Sequence, residues 1–148
     1  KKFISVDEYK KLTKNTPIEK GDILYTSVGS YGNPAIIESD IKFCFQRHIA
    51  QIKLKHELVN VVYIHGMMLT EYIKRQADRL AIGAAQKTLN LKSIKSMKIL
   101  IPPIELQNQF AEHIKSIETQ KQYAQASLKK STDLFNCLLQ KAFKGELI

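Results

Sequence analysis

A chain of 148 residues, 44% of them hydrophobic, can build one compact domain, and its longest apolar stretches fall far short of a membrane span. A net charge of +9 points to a polyanionic partner. The isolated Cys44 and Cys137 read as small buried hydrophobes, which excludes a disulfide framework or a cysteine zinc site, and the early polar residues read as no signal peptide, so the cytoplasm is the expected compartment.

The first predicted element is a short helix over 6–13, with Ser5 as N-cap and Glu8 completing a capping box. Lys20-Gly21-Asp22 turns the chain into a strand over 23–28. Gly29-Ser30-Tyr31-Gly32-Asn33-Pro34 is a loop dense in turn formers, followed by a strand over 35–37 and a turn at Glu38-Ser39-Asp40. Residues 43–45 and 48–54 read as strands, the second alternating Ala50, Ile52 and Leu54 with Gln51, Lys53 and Lys55. A single helix is expected over 58–78, because Leu58, Val61, Ile64, Met68, Tyr72 and Ile73 keep a 3.6-residue period that tolerates Gly66. Residues 79–90 form a loop around Gly83, 91–97 a helical turn, and 99–101 the last strand.

Pro102 and Pro103 end that strand and start a helix within two residues. Pro102 lacks an amide hydrogen and biases Ile101 to extended geometry, while Pro103 has a φ suited to a first helical turn. Beyond them Phe110, Ile114, Ile117, Lys121, Ala124, Leu128, Ser131, Phe135 and Leu138 keep an a/d seam, interrupted by Lys121 and Ser131. A helix over 105–143 would be roughly 58 Å long, more than the rest of the chain can cover. The expected pairing surface is therefore Phe110, Ile114, Ile117, Ala124, Leu128, Phe135 and Leu138, against a helix from another copy, another protein or another part of a parent chain. A helix folded back on its own domain is the alternative. Gly145 is the expected stop. The expected fold class is α+β: a small mixed α/β domain over 1–103, followed by a long C-terminal coiled-coil helix over 104–148.

Residues 105–148 hold six lysines and five acids, so nearly all the excess positive charge lies in the preceding domain. Between Lys74 and Lys98 seven basic residues face one acid, Asp78. Lys74, Arg75, Lys92, Lys95 and Lys98 suit phosphate contacts or a solvated surface. Reading bases requires forked hydrogen-bonding side chains, Arg for guanine and Gln or Asn for adenine, on loops that reach a groove. Three clusters qualify: Ser27, Ser30, Tyr31 and Asn33; Gln46, Arg47 and His48; and Arg79, Gln86, Lys87 and Thr88. Gln46-Arg47-His48 fits a structural turn equally well, and the Gln86 amide fits a backbone tie. No catalytic residue and no metal ligand set is expected. Asp40 with Gln51-Ile52-Lys53 is a poor nuclease pattern lacking a second acid, Asn33-Pro34-Ala35 breaks off from a methyltransferase Asn-Pro-Pro-Tyr, and neither Gly-x-Gly-x-x-Gly nor His-Glu-x-x-His occurs.

Four ordered segments carry a resemblance: residues 21–29 (Gly-Asp-Ile-Leu-Tyr-Thr-Ser-Val-Gly), 45–50 (Phe-Gln-Arg-His-Ile-Ala), 83–89 (Gly-Ala-Ala-Gln-Lys-Thr-Leu), and Ile101-Pro102-Pro103 leading into Gln107-Asn108-Gln109-Phe110. In this order the chain resembles the specificity subunit of type I restriction-modification systems, and Lys141-Ala142-Phe143-Lys144-Gly145-Glu146-Leu147 is similar to that family's usual ending. The resemblance implies that 1–103 is a target recognition domain for double-stranded DNA and 104–148 a spacer that pairs antiparallel with a second such helix. It also implies a non-catalytic, DNA-binding subunit working with two partners. One is a modification (methyltransferase) subunit that binds S-adenosylmethionine and methylates adenine; the other is a restriction subunit. The site read would be bipartite. The family's usual segment before Lys1, with a Gly-Thr-Pro-like motif, is absent, as is an initiator Met, so a C-terminal part of a full or half-length subunit is expected; a half-length subunit would pair as a homodimer. The alternative from a different class is a coiled-coil adaptor with a non-specific basic nucleic-acid-binding surface.

Overall fold

In the computed structural model, residues 3–40 and 42–146 are described. Helix α1 (Val6–Thr13) opens the chain, and Ser5 Oγ accepts the Glu8 amide at 3.2 Å, as its capping sequence requires. Three short strands follow, β1 (Ile23–Thr26), β2 (Pro34–Ile36) and β3 (Ile49–Ile52), in an antiparallel sheet with β1 at the centre. Tyr25 lies opposite Pro34 on one side and Ala50 on the other, while Ile23 lies opposite Ile36 and Ile52. Pro34 has no amide to give, which suits its place on an edge strand.

Alternation along β1 turns Ile23 and Tyr25 inward, where both are buried. They join Val59, Ile64, Met68, Ala77 and Leu89 in one core, so the helices cover one face of the sheet with aliphatic side chains. These are α2 (Val61–Met68), α3 (Glu71–Leu80) and α4 (Leu91–Ser96). Asn60 caps α2, accepting the amides of Val62 and Tyr63, and Asn90 caps α4, accepting Ser93 N. The α+β class expected from sequence is the one found.

Several boundaries differ. The helix expected over 58–78 is two helices, because Thr70 Oγ1 donates to the Met67 carbonyl at 2.6 Å and accepts the Ile73 amide at 3.4 Å, stopping one helix and capping the next. The second helix runs past the expected end to Leu80, where the Ala81 amide donates to the Ala77 carbonyl, so Arg79 sits on the last turn of α3 and not in a loop. Residues 43–45 join no ladder. Nor do 99–101. Next to them, the Lys98 amide donates to Gln76 Oε1 and the Lys98 carbonyl accepts from Gln76 Nε2, while Tyr63 Oη donates to the Leu100 carbonyl. Side chains supply the partners that a neighbouring strand would have offered.

Helix α5 (Ile104–Lys144) runs for 41 residues, about 60 Å at helical rise. Gly145, at φ +72°, ends it: its amide donates to the Ala142 carbonyl and the Glu146 amide to the Lys141 carbonyl, the paired bonds of a Schellman stop. The chain divides into two compact units, Lys1–Asn108 and Gln109–Ile148, and the first turn of α5 belongs to the first. In the second unit Phe110 and Ile114 are half-buried, whereas Ile117, Ala124, Leu128, Phe135 and Leu138 are exposed. Cys137 beside this seam is also exposed and Cys44 half-buried, so neither is the fully buried hydrophobe expected. Among the described residues no helix is long and apolar enough to cross a membrane.

Candidate nucleic-acid interface

Ser27 leaves the end of β1 and becomes the point where three separate segments meet. Its amide donates to the His48 carbonyl at 2.8 Å, and its carbonyl accepts the Leu89 amide at 2.8 Å. The neighbouring Val28 bridges Thr88, and the Gly29 amide donates to the Lys87 carbonyl at 3.1 Å. The loops carrying Ser27–Asn33, Gln46–His48 and Gln86–Thr88, far apart in sequence, are thus laced side by side through backbone bonds. Those bonds fix the frame and leave side chains over.

The side chains divide by environment. Gln46, Arg47, His48, Gln86 and Lys87 are exposed, Tyr31 and Thr88 are half-buried, and Ser27 is buried at 7% exposure. Ser27 is therefore part of the frame, held by its backbone bonds. The Gln46-Arg47-His48 turn is structural through its Gln46 and His48 carbonyls, and its three side chains are exposed.

The glycine loop is braced from within. Thr26 Oγ1 donates to the Ser30 carbonyl at 2.7 Å and accepts the Asn33 amide, while Asn33 Nδ2 donates to the same Ser30 carbonyl at 2.7 Å. Asn33 spends its amide donor holding the loop. Tyr31 Oη reaches across to α3 and donates to Asp78 Oδ1 at 2.7 Å. That bond, with lesser contributions from partial burial and the nearby carboxylate charge, holds the Tyr31 phenol above its ordinary pKa. Beneath it, burial first, then the charges of Asp78 and Tyr31, raises that of Tyr25.

Gly83 shapes the third loop. At φ +112° it adopts a conformation that side chains avoid, and an added Cβ would collide with the Gln86 carbonyl oxygen. Gln86 in turn lies close to Gly29, with Nε2 3.6 Å from where a Cβ there would stand.

Basic residues border these loops unevenly. Arg75 and Arg79 lie one turn apart on one face of α3, with Asp78 between them, and neither has an ion pair among the described residues; nor do Arg47 and Lys87. Lys74 pairs with Glu71 at 3.4 Å on a neighbouring face. Lys95 lines an apolar groove with Ile52, Leu54, Ile94, Met97 and Ile99, and the Lys98 backbone is tied to Gln76. Among the described residues, no group of three or more His, Cys, Asp or Glu side chains could hold a metal ion.

Thr26 and Asp78 are not among the site residues that the sequence reading marks. Thr26 gave no signal, being one polar residue in a strand pattern. Asp78 did: it is the one acid in the basic run from Lys74 to Lys98.

A family model described as the type I restriction modification DNA specificity domain matches residues 2–130. Among curated proteins, the chain is 27% identical over 138 residues to the type I restriction enzyme EcoBI specificity subunit of Escherichia coli, an alignment covering 90% of this chain and 29% of that one. It is 31% identical over 101 residues to the putative type I restriction enzyme MjaX specificity subunit of Methanocaldococcus jannaschii, covering 68% and 23%. It is 28% identical over 107 residues to the MjaVIII specificity subunit of the same organism, covering 72% and 23%. The chain spans less than a third of the length of these relatives.

Proposed function

The chain belongs to the type I restriction-modification DNA specificity domain family, and from that premise we propose that it is half of a bipartite DNA reader, directing adenine methylation and restriction by partner subunits. Residues 1–103 act as the target recognition domain and 104–148 as the helical spacer. The observation that carries the reading is the lacing of three loops around Ser27, which sets exposed Gln46, Arg47, Gln86 and Lys87 on one rigid frame. Fork-shaped Gln and Arg side chains supply the donors and acceptors that distinguish adenine and guanine edges in a major groove. Arg75 and Arg79, without ion pairs among the described residues, supply phosphate contacts that set register but carry no sequence information.

The chain itself contributes no catalytic group in this reading. S-Adenosylmethionine belongs to the modification subunit, where it supplies the methyl group; this chain chooses the base to which the group goes. The exposed seam of Ile117, Leu128, Phe135 and Leu138 pairs with a second helix, either the other half of a full-length subunit or a second copy, and its length sets the unread spacer between half-sites.

The test is methyl transfer by the cognate modification subunit over a pool of duplexes with randomised bases, with and without the intact protein that carries this chain. Adenine methylation confined to one bipartite site, and only with that protein present, is the expected result. Methylation unchanged by its presence, or duplex binding that is uniform across sequences and lost with salt, would leave a basic adaptor surface instead.

A further inference from the structure

Asp78 is the one acid in the basic run from Lys74 to Lys98, and yet it forms no ion pair among the described residues. Arg75 stands three residues before it on α3 and Arg79 directly after it. The first spacing is one at which oppositely charged helical side chains readily meet. Instead the Asp78 carboxylate accepts the hydroxyl of Tyr31, 47 residues away, at 2.7 Å. The Tyr31 ring packs against the core from within the glycine loop, and Gly32 beside it lies near the hydroxyl of the buried Tyr25, where an added Cβ would make an ordinary contact at 3.6 Å.

Resting on the DNA-reading function proposed above, we infer that Asp78 and Tyr31 form a specificity latch: Tyr31 positions the glycine loop by binding Asp78, and the bond holds that carboxylate toward the loop, so that Arg75 and Arg79 stay unpaired for phosphate. Both are positioning residues. Tyr31 thereby acts through α3 and not as a base contact. Two consequences follow from this chemistry. Removing the hydroxyl frees the loop and lets Asp78 turn to Arg75, so sequence selectivity falls. Replacing the carboxylate by an amide keeps an acceptor oxygen for Tyr31 while removing the competing charge, so selectivity stays and binding to any duplex strengthens.

The experiment uses the intact protein assembled with its modification subunit. The probes are the duplex selected from a randomised pool and a scrambled duplex of equal composition, compared at two salt concentrations well below the unfolding temperature. Tyr31→Phe and Asp78→Ala are each expected to cut the ratio of selected to scrambled affinity by about tenfold, with the double variant no worse than either single one, as a coupled pair requires. Asp78→Asn is expected to keep the ratio and raise affinity for both duplexes at low salt. Retention of the full ratio by Tyr31→Phe would overturn the latch, as would Asp78→Asn behaving like Asp78→Ala. A wild-type protein without preference between the two duplexes would overturn the reading function itself, and the latch with it.

Discussion

Gln107 and Asn60 are joined by a bond that neither local sequence announces: the Gln107 side-chain oxygen accepts the Asn60 amide at 2.9 Å, with Gln107 itself wholly buried. The other end of the same amide donates to the Pro102 carbonyl at 2.8 Å, so the first turn of α5, the double proline and the N-terminus of α2 share one side chain. Asn60 adds a bond from its own Nδ2 to Asn108 Oδ1, at the surface.

Replacing Gln107 by Ala strands the Asn60 amide and the Pro102 carbonyl, and a buried polar group without a partner costs about 1–3 kcal/mol. Asn108→Ala removes only a solvent-exposed bond and is expected to cost less than about 1 kcal/mol. Denaturant unfolding of the two variants side by side measures this. Equal losses would show that the buried amide is not the brace.

The sequence made some of this architecture plain and concealed the rest for physical reasons. Helices α1 and α5 were legible because their signals are local: a serine three residues before a glutamate, a double proline, a seam repeated over several heptads, a glycine at the stop. The break at Thr70 was hidden because the apolar period runs through it and one hydroxyl decides it. Residues 99–101 read as a strand on propensity alone, whereas a ladder needs a neighbour, and Gln76 and Tyr63 took that place from a distance in sequence. The three loop clusters stand out in the sequence by their forked and polar hydrogen-bonding side chains, but their meeting at Ser27 is a product of long-range pairing that no local pattern encodes.

Gly83→Ala forces a side chain into a left-handed conformation and against the Gln86 carbonyl, which is backbone and cannot swing aside. A loss of about 1–3 kcal/mol is expected, together with weaker duplex selectivity as Gln86 moves. Gly29→Ala is also strained, at φ +72°, but meets only the flexible end of Gln86 and is expected to be the milder change. Thermal unfolding and competition binding on both variants give the order; the reverse order would remove Gly83 from its role in shaping the loop.

Stability is expected to fall in alkali. The phenols of Tyr25 and Tyr31 are both raised from their usual value of 10.0, the first mainly by burial and the second mainly by its bond to Asp78, and the bond to Glu19 raises the Lys53 ammonium from 10.5. A group whose folded pKa is raised binds its proton more tightly in the native state, so its contribution is complete below the unfolded value and is lost as pH rises through the folded one. Unfolding free energy should therefore hold level between about pH 7 and 9 and decline above about pH 10. Denaturant titrations at stepped pH, with phenolate absorbance to follow the tyrosines, test the sign; stability that rises above pH 10 would contradict it.

The exposed seam of α5 predicts its own disruption. Leu128 and Phe135, 69% and 60% exposed, gain cover only by pairing, so changing both to Glu should abolish association while leaving the first unit folded. Sedimentation velocity reads the association and circular dichroism the fold; a doubly substituted protein that still pairs would place the contact elsewhere. Orientation needs a reporter in the seam, because Cys137, one residue before Leu138, falls on the outer face of such a pair and its thiol meets no partner thiol in either orientation. With Cys137 replaced by Ser, Leu138→Cys would bring two thiols together in a parallel, in-register pair of copies, where they cross-link under mild oxidation. In an antiparallel pair centred near Ala124 they stand roughly 40 Å apart at helical rise, far beyond disulfide reach. Association without that cross-link is the expected outcome, and a rapid, complete cross-link in the associated protein would reverse the orientation and with it the bipartite geometry.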